Sequence, residues 1–75
     1  MNRERRKFII QARYNLEQAA LFLNTAKEQE EESHDNLPES LAESDRAFTM
    51  EENIELLEDA LNSIDEIMNT LEEIT

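Results

Sequence analysis

The stretch MEENIELLEDALNSIDEIMNTLEEIT, residues 50–75, decides how the chain folds. Its apolar residues Met50, Ile54, Leu57, Leu61, Ile64, Met68 and Leu71 alternate in steps of four and three. That spacing keeps one helical face apolar over its whole length and is the seam pattern of a coiled coil. Ala60, Ile67 and Ile74 repeat every seven residues beside the seam and widen it beyond what one neighbouring helix covers. Nine Asp and Glu occupy other positions, with no Lys or Arg among them. The helix therefore requires apolar neighbours, and its acidic surface must be tolerated or neutralised.

A matching helix precedes it. Over residues 3–33, Ile9, Ala12, Leu16, Ala19, Leu23 and Ala26 follow the same rhythm, with Phe8, Phe22 and Ala20 broadening the face. Small alanines at half of these positions let a neighbour approach closely, and the large residues of the second helix fill the space. After Ala26 the apolar positions cease, and KEQEEES is expected to run on as solvated helix or to fray.

Residues 34–44, HDNLPESLAES, form the break, because Pro38 inside a helix would lose a hydrogen bond and clash with the preceding turn. Asn36 with Glu39 resembles a capping pair around Pro38 in a first helical turn. A turn or two of helix is expected over 37–43, with Leu37 and Leu41 folded back over the end. Two start signals compete for the next helix. Ser44 or Asp45 caps it early, whereas Thr49 with Glu52 would make a capping box one turn later. The earlier start is preferred, since Ala47, Met50 and Ile54 then continue one face.

Two helices of about 30 residues joined by a short linker imply an antiparallel hairpin: helix 1 about 3–33, linker 34–44 and helix 2 about 45–75, one domain over 1–75. Charge supports the pairing. Residues 1–13 hold five Arg or Lys against Glu4, net +4, while residues 14–75 hold Lys27 and Arg46 against eighteen acids. Antiparallel packing sets the basic start beside Asp65, Glu66, Glu72 and Glu73, so that helix ends of the wrong sign for their own dipoles compensate each other. The apolar surface exceeds what one hairpin can hide. The expected assembly is a helical bundle, a dimer being favoured, with its oligomer seam formed by Ile9, Leu16, Phe22, Leu23, Ile54, Leu57, Leu61, Ile64, Ile67, Met68 and Leu71.

Composition narrows the function. Seventy-five residues give one small domain, whose lone core supplies only about 3–5 kcal/mol. Absence of cysteine removes disulfides and thiolate metal sites; absence of glycine removes phosphate-cradling loops and most β architectures. The longest apolar run, Ala19–Leu23, has five residues against the ~20 that span a bilayer. The basic start imitates a signal peptide faintly, but its apolar region stops at Gln11, so a cytoplasmic location is expected. A net charge of −12 disfavours direct nucleic-acid binding and docking on anionic lipid.

The residues that can carry chemistry are few. Arg3, Arg5, Arg6 and Lys7 form a basic head, which either binds an anion through Arg forks or neutralises the tail of helix 2. Arg3, Lys7, Ile10, Tyr14, Glu17 and Leu21 form a second stripe, on which an exposed Tyr14 between cations suits base stacking with phosphate capture. The same stripe would equally serve to pack a further subunit. Arg46 either pairs with Glu43 or Asp45 or reaches a ligand. His34 has no second His or Cys with which to share a metal and is expected to cap or to face water. The D-x-D-x-D-G loop is missing, and the one E-x-x-H spacing, Glu31 to His34, has no second copy to complete a di-iron set, so neither a metal nor a cofactor is expected. No nucleophile elbow, P-loop or acid–base pair is visible, and the chain does not read as an enzyme.

The segment from Asp35–Leu41 (DNLPESL) through Ser44–Arg46 and Met50–Ile54 (MEENI), with the acidic heptads beyond, resembles a group of small acidic helical proteins of phages and mobile elements of Gram-positive bacteria. The basic start RERRKF fits the same group. That resemblance implies a setting inside a host bacterial cell, with antagonism of antiviral defence as the expected role. Two non-enzymatic functions then follow. In one, the oligomer sequesters a phosphate-bearing nucleotide signal, held by Arg3, Arg6, Lys7 and Tyr14 with Arg46 at a subunit junction. In the other, the acidic faces block a basic host protein by docking it, in the manner of a DNA mimic.

Overall fold

The computed structural model describes residues 1–74 and is entirely helical, with no strand among them. Two long helices, α1 (Arg3–Asp35) and α2 (Asp45–Ile74), flank a single 3₁₀ turn at Glu39–Leu41. The expected final residue of the second helix, Thr75, lies outside the described residues.

Local signals account for each boundary. At the start of α1 the Asn2 side chain accepts a hydrogen bond from the Arg5 amide at 2.9 Å, the usual way an Asn satisfies a first-turn donor. At its end the Asn36 amide donates back to the Glu32 carbonyl at 3.0 Å. Asn36 therefore closes α1 and does not cap the following turn. That turn begins after Pro38, which makes no side-chain cap bond. The expected Asn36–Glu39 capping pair is thus absent, because helix α1 runs two residues past its expected end at 33 and uses Asn36 itself. Leu37 is half-buried as the chain turns, while Leu41 remains 37% exposed.

Helix α2 uses the earlier start signal. The Ser44 hydroxyl accepts from the Ala47 amide at 3.3 Å and donates to the Leu41 carbonyl at 2.6 Å, so one side chain ties the linker to the helix. Thr49 and Glu52 lie inside the helix. Replacing Ser44 with alanine orphans one first-turn donor and is expected to cost about 1 kcal/mol. A urea midpoint unchanged by the substitution would remove the cap from this account.

The helices pack antiparallel: partners on α1 descend as those on α2 ascend. Arg13 meets Glu72 at 3.9 Å, Lys27 meets Glu58 at 3.8 Å, and the Asn53 amide donates to Glu30 at 2.9 Å. Nearest the linker, the His34 Nε2–H donates to Glu51 at 3.1 Å. The result is a rod of 60 × 15 × 12 Å. Between the helices lie Ile9, Leu16, Ala19, Ala20 and Leu23 from α1, and all seven residues of the four-and-three series from Met50 to Leu71.

Two features of α1 depart from expectation. The segment after Ala26 neither frays nor faces solvent all round. Lys27, Glu30 and His34 continue the half-buried face and bond across to α2. A polar seam is possible here because each charged head finds a partner, so its burial costs little. His34, expected to cap or to face water, instead belongs to this seam. Conversely, Ala12 and Ala26 keep the apolar rhythm yet stay exposed, since α2 sits to one side of them.

Candidate functional site

The hairpin has two broad sides. On the front, Ala26, Gln29 and Ser33 of α1 line a shallow cleft with Asn53 and Leu56 of α2. On the back, Glu17, Leu21 and Asn24 line another with Asn62, Asp65 and Met68. A third hollow, near the linker, is walled by Glu28, Glu31, Glu32 and Asp35. Carboxylates dominate that end, yet no three potential ligands converge to hold a metal ion among the described residues.

The basic head occupies the first two turns of α1, at the end opposite the linker. Arg3, Arg5, Arg6 and Lys7 are all exposed. None of them forms an ion pair with a carboxylate among the described residues. Contact between the basic start and the acidic tail of α2 instead runs through Arg13 and Glu72. At 3.9 Å between partly exposed groups, such a pair contributes ~0–1 kcal/mol. Four cations thus remain available to an external anion.

Arg3, Lys7 and Tyr14 share one outward row, because steps of four and seven residues return to nearly the same face of a helix. Tyr14 is 56% exposed, and Ile10 and Leu21 beside it are similarly open. The ring therefore offers a face to solvent on the row of two cations of its own helix, Lys7 about 10 Å and Arg3 about 16 Å away along the axis. Arg6 lies toward the back of the same turns.

Arg46 is not brought together with these residues. It is the second residue of α2, beside the linker, while Arg3 begins α1. In an antiparallel hairpin those two starts lie at opposite ends, here of a rod 60 Å long. Arg46 makes no ion pair with Glu43 or Asp45. Within one chain the candidate ligand set is therefore Arg3, Arg6, Lys7 and Tyr14.

Sequence reasoning missed the polar cluster of Lys27, Glu30, His34, Glu51, Asn53 and Glu58, whose members bond across the two helices. Their signal was available: Lys27, Glu30 and His34 continue the steps of Leu16, Ala20 and Leu23, in polar residues. No helix among the described residues is long and apolar enough to cross a membrane. Compared with known proteins, the chain matches no family model, no curated protein and no solved structure.

Proposed function

We propose that this chain is a non-enzymatic binding protein whose working form is a self-associated helical bundle. One observation carries the reading. Of the described residues only Ala47 is fully buried, while Phe8, Phe22, Leu56, Ile67 and Ile74 stand 42–75% exposed. A hairpin with so little interior gains its stability by covering that surface, and what remains outside is charge with which to bind.

The bound species we favour is a phosphate-bearing nucleotide. Arg3, Arg6 and Lys7 have no carboxylate partner among the described residues, and Tyr14 presents its ring on the row that carries Arg3 and Lys7. Cations hold the phosphate and the ring stacks the base. The likeness to small acidic proteins of phages and mobile elements gives such sequestration a purpose, the removal of a host defence signal. A second reading rests on Glu52, Asp59, Glu66 and Glu73, spaced every seven residues along α2, which suit docking by a basic host protein.

Thermal melting against inorganic phosphate, nucleoside monophosphates and cyclic dinucleotides tests the first reading. A true ligand at a hundredfold its dissociation constant stabilises by about 2.7 kcal/mol. Tyr14→Ala is expected to leave helicity intact and abolish that shift. A full shift in the variant excludes the stripe. Absence of any shift, together with a basic partner lost on Glu52→Gln, Asp59→Gln and Glu66→Gln, would move the assignment to the docking module.

A further inference from the structure

The front of the hairpin carries a second pattern beside the seam between the helices, meeting its edge at Ala19 and Ala60. Stepping by four and three from Phe8 to Ser33, α1 reads F-A-N-A-F-A-Q-S. Stepping in the same way from Thr49 to Ile74, α2 reads T-N-L-A-S-I-T-I. None of these sixteen residues is charged, in a chain that is 35% charged. The two rows flank the same side, since Ala26, Gln29 and Ser33 of one meet Asn53 and Leu56 of the other across the front cleft. An uncharged ribbon therefore runs the length of the rod, and its large members are its most exposed apolar residues: Phe22 is 75% and Phe8 70% exposed.

We infer that this ribbon is the docking surface for a second copy of the chain, related by a two-fold axis parallel to the rod. Each α1 then lies over the partner's α2, and both linkers sit at the same end. The inference rests on the self-association proposed above and specifies its surface and geometry.

Three observations select this arrangement. A two-fold axis along the rod preserves height, so an α1 residue meets in the partner's α2 the level it already meets in its own chain. That level is set by the bonds Arg13–Glu72 and Lys27–Glu58. Along the ribbon it brings Phe22 opposite Ser63, Ala19 opposite Ile67 and Ala12 opposite Ile74. Large residues meet small ones at these three levels, as interdigitated packing requires, while Ala26 meets Ala60.

Charge makes the same selection. Outside the ribbon, α2 carries the row Glu52, Asp59, Glu66 and Glu73, whereas the corresponding row of α1, Glu4, Gln11, Gln18, Thr25 and Glu32, is uncharged over its middle three members. Stacking α1 on the partner's α2 sets Gln11 and Gln18 amides, as donors, beside Glu73 and Glu66, sets Thr25 beside Asp59, and leaves one like-charge level, Glu32 beside Glu52. The competing dimer, with its axis across the rod, stacks α2 on α2 and brings two acidic rows together, where like charges repel.

The third observation is polar. Glu30 and Asn53 bond to each other at the front edge of the seam, beside Gln29 and Ser33. In the dimer this level becomes a polar layer within an otherwise apolar stack, a device that fixes register and partner orientation. The arrangement also gathers both basic heads at one end of the bundle.

The chain has no native cysteine, so Ser40→Cys in the exposed linker provides one spin-label site per copy. Sedimentation equilibrium at tens of micromolar is expected to give two copies. Pulsed dipolar spectroscopy is expected to give an inter-label distance of roughly 30 Å or less, given helix separations of 8–10 Å. A distance near the 60 Å length of the rod overturns the geometry while leaving self-association standing. A single folded copy overturns both. Phe22→Glu and Ile67→Glu are each expected to weaken association at least a hundredfold, and dimers of undiminished affinity would overturn the choice of surface.

Discussion

Leu61→Asp is expected to abolish the helical circular-dichroism signal at 25 °C and micromolar concentration. Leu61 stands midway along the four-and-three series of α2 and is half-buried against α1, lining the back cleft with Ala20. Burying a leucine is worth about 1.5–3 kcal/mol, and aspartate both forfeits that and brings a carboxylate into an apolar seam without a cation opposite. A small core of this kind supplies only about 3–5 kcal/mol, so the loss removes most of the stability. The control is Phe48→Asp. Phe48 is 55% exposed in the first turns of α2, where a negative charge suits the helix dipole. Full helicity in the control with loss in Leu61→Asp assigns stability to the seam. Helicity retained by Leu61→Asp would mean that the seam does not hold the hairpin.

The residues explain how much of this was legible. Met50 to Leu71 announces its packed face because a stripe of period 3.5 is a property of neighbouring residues along the chain, and all seven members are half-buried. Turn chemistry was legible for the same local reason at Ser44, whose hydroxyl reaches only as far as Leu41 and Ala47. Apolar periodicity is blind to polar packing, and so Lys27 and Glu30 read as solvated or frayed helix and His34 as a cap or a water-facing residue, although each bonds to α2. Their partners Glu58, Asn53 and Glu51 lie 17 to 31 residues away, and only the pairing of the helices identifies them. For the candidate site, Arg3, Lys7 and Tyr14 share a row because they share a helix. Arg46 does not join them, a consequence already contained in antiparallel pairing: the starts of two antiparallel helices lie a helix length apart.

The second large effect is on wild-type protein, with no substitution. Thermal stability is expected to rise with protein concentration, by about 1.4 kcal/mol for each tenfold increase once unfolding is coupled to dissociation of a dimer. Between 1 μM and 1 mM that amounts to roughly 4 kcal/mol, comparable with the stability of the hairpin itself. The surface supplies the reason. A compact monomer of this mass exposes roughly 4,800 Å², whereas this rod exposes 5957 Å². The excess is of the size that one partner buries in a standard interface, roughly 800 Å² or more. It includes apolar side chains that a solitary soluble helix pair has no physical reason to display in line: Phe8, Phe22, Leu56, Ile67 and Ile74. Repulsion works against association, since two copies each of net charge −12 approach one another. Added salt screens that repulsion and should therefore steepen the gain at low concentration. A melting temperature constant across the whole concentration range, at any salt, requires a hairpin that is stable alone with Ala47 as the only fully buried residue among those described. That result would remove the bundle, and with it the view that the uncharged front exists to be covered.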